Sequence, residues 1–194
     1  MLIPLTIRLK FRRLLEPLAR GFIAAGISPS TLTLIGLIPA VAAAVAFGKG
    51  AVRWGAVLTG VSGLFDLADG LVARMGKKET RFGALLDSSI DRYSEIAIFI
   101  GLAVLYRDGM GLIAVLLALA GSMMVSYTKA RAEGLGAQCS SGMLQRPERM
   151  VLVVIGGLIG STVLVWILWI LAVLSNITAV ERLLKVRATM RSVK

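Results

Sequence analysis

Four aspartates between residues 66 and 91 are the residues in this 194-residue sequence best suited to chemistry. They are Asp66, Asp69, Asp87 and Asp91. One aspartate near the middle of a membrane helix costs about 2.5–3.5 kcal/mol on insertion scales. Because the mean hydropathy of the chain is +0.82, four such carboxylates need a neutralising partner. Two divalent cations would balance them, and a pair of ions about 4 Å apart forms a clamp suited to phosphoryl chemistry.

Small residues and one arginine accompany the aspartates at helical spacing, so each group shares one helix face. The first face carries Asp66, Asp69, Gly70 and Ala73, and the second carries Gly83, Asp87 and Asp91. Two neighbouring helices joined by a short loop would aim these faces at each other. The small residues let the backbones approach and leave room for a ligand, and the fork of Arg74 can meet a phosphate. Salt bridges to nearby Lys and Arg would explain the charges, but not the small residues at fixed offsets.

The choice of metal ligands is narrow because the chain has no histidine and one cysteine, Cys139. These counts exclude a histidine base, histidine ligands, a thiolate cluster and an intrachain disulfide. Any metal must therefore be bound by oxygen, which suits Mg²⁺, Mn²⁺ or Ca²⁺.

The composition predicts an all-α integral membrane protein, since 57% of the residues are hydrophobic and the charges are clustered. Residues 1–27 alternate leucines with basic residues, which predicts an amphipathic helix lying in the membrane interface; a disordered basic tail is the alternative. Residues 28–190 predict six transmembrane helices, and the whole chain, 1–194, one domain. The predicted spans are 31–48, 51–74, 83–105, 110–132, a short fifth beginning near Pro147, and a long sixth after a break at Gly156, Gly157 and Gly160–Ser161. Pro29 ends the interfacial segment, and Ser30 or Thr31 is expected to cap the first span.

The distribution of basic residues orients these spans. Among the 22 Lys and Arg residues, all except Lys49, Arg53 and Arg107 fall on one side. The positive-inside rule therefore places both termini and the aspartates at the cytoplasmic face of the cell membrane. The same rule accounts for the net charge of +11, and no nucleic-acid motif with interleaved aromatic residues accompanies it. We expect membrane lipids, and no nucleic acid, as partners.

The stretch from Asp66 to Asp91 resembles the signature of the CDP-alcohol phosphotransferase family at every defined position. The resemblance implies an enzyme that displaces CMP from a CDP-linked lipid with a second alcohol. It implies that the four aspartates bind two divalent cations, Mg²⁺ or alternatively Mn²⁺, and that Asp91 is the general base. The implied CDP-lipid site consists of Gly70, Ala73, Arg74, Thr80 and Gly83, together with Ser30, Thr31 and Thr33 from a stretch similar to the family's amino-terminal nucleotide contact. The family also favours a homodimer.

The second half of the chain is similar to the phosphatidylinositol-phosphate synthase branch, whose acceptor is inositol 1-phosphate. The similar segments are Ser126–Glu133 and Arg146–Arg149. The resemblance implies that the acceptor phosphate is bound by Lys129, Arg146, Arg149 and Arg182. Each of these cations could instead contact lipid headgroups. Glycerol 3-phosphate, the acceptor of a phosphatidylglycerophosphate synthase, is also anionic.

Two further alternatives come from other classes of protein. A divalent-cation transporter would have carboxylates near the membrane midplane and symmetric halves, and a catalytically idle scaffold would not need all four aspartates. Diacyl and archaeal diether lipids remain equally compatible with the sequence.

Overall fold

The structure, a computed structural model, describes residues 5–137 and 144–192, with side chains for 14–137 and 144–188. Within these ranges the regular structure is helical and contains no strand. The helices are α1 Leu5–Ala24, α2 Pro29–Gly48, α3 Val52–Met75, α4 Arg81–Leu105, α5 Met110–Gly134, α6 Arg146–Ile159 and α7 Ser161–Ser192. The predicted all-α class is therefore confirmed for the described residues. Cys139 lies outside them.

Four helices are long and apolar enough to cross a membrane: α2, α3, α5 and the Ser161–Ala188 part of α7. The chain is thus a membrane protein, but six spans are not confirmed. Helix α4 is long, yet it carries Asp87, Asp91, Arg92 and Glu95 within its first 15 residues. Helix α6 has 14 residues and is about 21 Å long at 1.5 Å per residue, less than the roughly 30 Å of a hydrocarbon core. The interfacial position of α1 likewise remains a prediction.

Helices α1 to α4 form one compact unit, and α5 to α7 form a second. In the first unit, α2 packs along both α3 and α4, whereas α3 and α4 scarcely touch. A β-carbon on Gly101 of α4 would overlap the backbone of Ala44, so these two helices cross in backbone contact. The hydroxyl of Ser62 in α3 donates to the carbonyl oxygen of Gly36 in α2 at 2.8 Å. The two acidic helices are therefore held in place by α2, and not by direct packing on each other as the short loop led us to expect.

The start of α2 also differs from the expectation. Ser28 is the N-cap, and its hydroxyl accepts the backbone N–H of Thr31 at 3.2 Å. Neither Ser30 nor Thr31 caps the helix. The helix begins earlier because Pro29 occupies its first position, where the missing N–H costs no hydrogen bond and the fixed φ angle suits a helix.

Helix α1 packs against the last turns of α3, just after Asp66 and Asp69 in the sequence. Leu15 and Ala19 of α1 are buried in one apolar cluster with Leu71 and Val72 of α3 and Leu32 of α2. Leu14 and Leu18 lie on the surface of α1 and are exposed. The apolar side chains of α1 thus serve two faces, one against the protein and one outward.

In the second unit, α7 packs along α5 and, less extensively, along α6. The predicted break between the last two spans is confirmed at Gly160, whose φ angle of 149° lies in the region that favours glycine. The hydroxyl of Tyr106 donates to the carbonyl oxygen of Ser161 at 2.6 Å, directly after this break. Burial raises the pKa of Tyr106 to about 12, so the phenol keeps the proton that it donates.

Replacing Gly101 with alanine should destabilise the first unit. The added methyl group meets the Ala44 backbone, which cannot rotate away, and overpacking of this kind costs about 1–3 kcal/mol. Titration with SDS in mixed micelles would measure the loss of unfolding free energy. Gly63→Ala is the matched control, since nothing lies within 4 Å of its β-carbon. Equal stability of the two variants would contradict the close α2–α4 crossing.

Candidate active site

Three of the four aspartates come together between α3 and α4. Carboxylate oxygens of Asp66, Asp69 and Asp87 all lie within 4.8 Å of one another. Asp66 and Asp69 are one turn apart on α3, and Asp87 is in the first half of α4. Asp69 is buried, with 4% of its surface exposed, and the other two are half-buried. The helical spacing of the motif therefore produces the convergence expected from it.

Asp91 lies apart from this group of three carboxylates. It follows Asp87 by one turn of α4, a rise of about 6 Å. Its Oδ2 lies 3.5 Å from Nη1 of Arg92. Asp91 is half-buried. Asp91, the predicted general base, is therefore not among the three carboxylates whose oxygens all lie within 4.8 Å of one another.

The three grouped carboxylates fit a divalent cation in their chemistry. They supply only oxygen donors, which hard cations such as Mg²⁺ and Mn²⁺ prefer. The hydroxyl of Thr33 donates to Oδ2 of Asp69 at 2.6 Å and also lies 3.1 Å from the carbonyl oxygen of Pro29. The bond to the charged acceptor is the stronger of the two. Such a neighbour fixes the orientation of a metal-ligating carboxylate.

A cavity of about 250 Å³ adjoins two of these carboxylates, Asp69 and Asp87. Its wall includes seven of the eight residues predicted for the CDP-lipid site: Ser30, Thr33, Gly70, Ala73, Arg74, Thr80 and Gly83. Thr31 is the exception, and its hydroxyl lies 2.8 Å from that of Ser28 instead. Four lining residues were not anticipated, namely Pro29, Lys78, Glu79 and Ala84. They fall outside the fixed positions of the motif, so only their place beside it in the sequence could have indicated them.

The two motif glycines leave room for side chains of the chain itself. A β-carbon on Gly70 would lie 3.3 Å from Nη1 of Arg74, so the guanidinium group covers this glycine. A β-carbon on Gly83 would lie 2.9 Å from the hydroxyl of Thr80. That hydroxyl accepts the backbone N–H of Gly83 at 2.9 Å and so caps the start of α4. The small residues therefore shape the wall of the cavity as well as leaving space in it.

A tight loop joins α3 to α4 and brings further charges to the cavity. Gly76 ends α3, and Lys77 has a φ angle of 51° in the left-handed region. This turn directs the chain so that Lys78 and Glu79 reach the cavity wall. Arg74 and Lys78 are the cationic lining residues in the part of the chain that the structure describes.

The four basic residues predicted for the acceptor phosphate lie in the second unit and have different surroundings. Lys129 is exposed, with its Nζ 3.8 Å from a carboxylate oxygen of Glu133. Arg146 is half-buried at the start of α6. Arg149 and Arg182 are only 1% and 3% exposed. Their Nη1 atoms donate to the carbonyl oxygens of Leu144, at 3.2 Å, and Val125, at 2.6 Å. Two of the three guanidinium groups among them are therefore partly committed to the backbone.

Comparison with known proteins assigns the chain to a family. Residues 27–177 match the family model for CDP-alcohol phosphatidyltransferases. The chain belongs to the CDP-alcohol phosphatidyltransferase family and is an enzyme of that class. The resemblance noted from the aspartate motif is confirmed, and the alternatives of a cation transporter and an idle scaffold find no support in these matches.

Individual relatives cover nearly the whole chain. A phosphatidylinositol phosphate synthase from Mycobacterium tuberculosis is 39% identical over 193 residues, covering 93% of this chain and 89% of the relative. An archaetidylinositol phosphate synthase from Methanothermobacter thermautotrophicus is 36% identical over 179 residues, covering 90% and 89%. The predicted similarity to the phosphatidylinositol-phosphate synthase branch is confirmed as well.

Solved structures agree with these sequence matches. The crystal structure of the Mycobacterium tuberculosis synthase with CDP-DAG bound superposes with a TM-score of 0.82 at 39% identity, covering 90% of this chain and 94% of that one. The same enzyme in complex with manganese and citrate gives a TM-score of 0.81 at 38% identity, covering 88% and 87%.

Replacing Thr33 with valine should weaken Mn²⁺ binding about tenfold. Valine keeps the shape of threonine but removes the hydroxyl that orients Asp69, and loss of such a neighbour typically lowers metal affinity 10- to 100-fold. Calorimetric titration of the purified protein with Mn²⁺ would measure the change. Thr31→Val is the matched control, because the Thr31 hydroxyl bonds to Ser28 outside the cavity wall. Unchanged affinity in Thr33→Val would refute the orienting role.

Proposed function

We propose that this protein transfers a phosphatidyl-type group from a CDP-linked lipid to inositol 1-phosphate, releasing CMP and forming phosphatidylinositol phosphate or its archaeal diether analogue. The convergence of Asp66, Asp69 and Asp87 beside the cavity is the observation that carries the proposal. The names of the relatives support the acceptor, and the CDP-DAG bound to the Mycobacterium tuberculosis enzyme supports the donor.

We assign the two divalent cations, Mg²⁺ or Mn²⁺, to Asp66, Asp69, Asp87 and Asp91. The donor set supports this assignment, since it offers only oxygen and has three members already within reach of one ion. Bound there, the cations would stabilise negative charge on the reacting phosphate. The manganese in the related crystal structure agrees with the choice of metal.

The remaining steps are assigned to side chains of the protein. Asp91 takes the proton from the attacking hydroxyl group, since a carboxylate is the natural proton acceptor in a chain without histidine. The hydroxyl oxygen forms a bond to the lipid-linked phosphorus, the bond from that phosphorus to the bridging oxygen breaks, and CMP leaves with the electron pair. The guanidinium group of Arg74, at the cavity wall, binds the diphosphate. Ser30, Thr31, Thr33, Gly70, Ala73, Thr80 and Gly83 complete the proposed CDP-lipid site.

The acceptor phosphate is assigned to Lys129, Arg146, Arg149 and Arg182. Arg146 has the most favourable position, because it is half-buried in the first turn of α6, where the positive end of the helix dipole also attracts an anion. Arg149 and Arg182 each donate one Nη1 hydrogen bond to a backbone carbonyl oxygen, and a guanidinium group carries five N–H donors in all. Glycerol 3-phosphate would meet the same cations, so the choice of inositol 1-phosphate rests on the relatives.

The same proposal extends to the arrangement in the membrane. We assign α2 to α7 to six spans and α1 to the interface, within one domain covering residues 1–194. Both termini and the aspartates would face the cytoplasm, as the basic residues favour. A homodimer is proposed from family resemblance alone.

The purified enzyme should use inositol 1-phosphate with CDP-diacylglycerol in preference to other acceptors. Four cations assigned to one phosphate predict little turnover with serine or free inositol, which lack an anionic group of this kind. Release of radiolabelled CMP, measured across a panel that includes glycerol 3-phosphate, would rank the acceptors, with EDTA-treated enzyme as the blank. Preference for an uncharged acceptor or for serine would overturn the assignment.

Replacing Asp91 with asparagine should abolish turnover, lowering kcat by at least about 1,000-fold because the amide cannot accept the proton and also weakens the metal site. The measurement is CMP release with saturating CDP-diacylglycerol and inositol 1-phosphate. Asp108→Asn makes the same chemical change in an exposed turn and should retain activity. Near-normal turnover in Asp91→Asn would remove the proposed base.

A further inference from the structure

Glu79 is a charged residue at the cavity wall that has no role in the aspartate motif or in the proposed mechanism. It lies in the loop between α3 and α4, one residue after Lys78 and one before the capping Thr80. Among the lining residues that the structure describes, it is the acid that does not belong to the group of three carboxylates. If the proposed function is correct, the cavity accepts a nucleotide, and Glu79 must then face some part of it.

The position of Glu79 in the chain indicates which part of the nucleotide it faces. Asp69 and Asp87 line the cavity together with Thr33, whose hydroxyl donates to Asp69. The loop lies away from these carboxylates along α4, because the rise from Arg81 to Asp87 is about 9 Å. A diphosphate near the metal-binding carboxylates directs the rest of the nucleotide away from them. The nucleobase would therefore lie near the loop.

The hydrogen-bonding capacity of Glu79 suits one class of base. A carboxylate only accepts hydrogen bonds. Cytosine presents the N–H groups of its exocyclic amine at the ring position where uracil presents a carbonyl oxygen, and glutamate pairs with the cytosine amine for this reason. No ion pair or hydrogen bond among the described residues involves the Glu79 side chain, although Lys77, Lys78 and Arg81 flank it in the sequence. Its carboxylate is therefore available to a ligand.

We propose that Glu79 selects cytidine over uridine nucleotides by accepting a hydrogen bond from the exocyclic amino group of the base. Lys78, beside it, donates to the O2 carbonyl oxygen, which cytosine and uracil share. Pro29 lies on the same cavity wall and offers an apolar surface to the ring. The fixed aspartate motif thus supplies the chemistry, and the loop that joins its two halves supplies the choice of base.

Binding of CMP and UMP to the Mn²⁺-loaded protein tests the assignment without requiring turnover. Calorimetric titration should show that the wild type binds CMP at least about 10-fold more tightly than UMP, as expected for one good base contact. In Glu79→Gln the ratio should fall to within about threefold of unity, because an amide also donates to the uracil carbonyl oxygen. A wild type that does not discriminate, or a Glu79→Gln ratio equal to that of the wild type, would overturn the proposal.

Two further variants separate base selection from a general loss of binding. Lys78→Met should weaken CMP and UMP by similar factors and leave their ratio unchanged, since its partner atom is common to both. Asp108→Asn removes a carboxylate from an exposed turn and should change neither affinity. If Lys78→Met changes the ratio as much as Glu79→Gln does, net charge at the loop, and not a specific contact, determines the preference, and the proposal fails.

Turnover with CDP-diacylglycerol and UDP-diacylglycerol distinguishes this inference from the proposed function. With inositol 1-phosphate as acceptor, Glu79→Gln should reduce the kcat/KM preference for the cytidine donor by at least about threefold, the smallest change that the binding ratios allow. Absence of transfer from CDP-diacylglycerol by the wild type would defeat the proposed function, while a Glu79-dependent CMP preference in the same sample would still support the base assignment. If the wild type and Glu79→Gln both transfer from CDP-diacylglycerol and prefer the cytidine donor equally, the base assignment fails while the proposed function stands.

Discussion

Repulsion among grouped carboxylates is the constraint on which the first unit depends. Two unit charges 4 Å apart repel each other by about 4 kcal/mol at an effective dielectric constant of 20, and Asp66, Asp69 and Asp87 all lie within 4.8 Å of one another. A domain is commonly stable by only about 5–15 kcal/mol. The packing around the site must therefore hold the carboxylates together until cations offset their charge. The cation then contributes binding free energy to the folded state as well as to the chemistry.

Helix α2 meets this requirement because it packs along both helices that carry the aspartate motif. Because α3 and α4 pack mainly on α2, and scarcely on each other, space for a cavity remains between their acidic segments. Backbone contact at Gly101 fixes one side of this arrangement, and the Ser62 hydroxyl bond to Gly36 fixes the other. Thr33 then joins α2 directly to Asp69. A helix that contributes no carboxylate thus sets the spacing of those that do.

Sequence patterns predicted those features that depend on local periodicity. Helix ends, the break at Gly160 and the convergence of three aspartates all follow from spacing along one or two helices. Features that depend on a third element were not predictable in the same way. The partial commitment of Arg149 and Arg182 to backbone carbonyls and the turn that brings Glu79 to the cavity each require the position of a neighbour. The N-cap of α2 is Ser28, whereas Ser30 or Thr31 was expected. The local signal for Ser28 was Pro29, which marks the first helical position.

The polarity of α4 links these observations. Because it carries Asp87, Asp91, Arg92 and Glu95, α4 is not among the described helices that are apolar enough to cross a membrane. Glu95 is nevertheless fully buried, and Asp87 lines the cavity. Ionisable residues in a membrane helix are tolerated where they face protein or a polar cavity. The features that make α4 a poor span by composition are thus those expected of a helix that supplies an active site. In a chain otherwise this apolar, a helix whose hydropathy departs from that of its neighbours is the place to look for function.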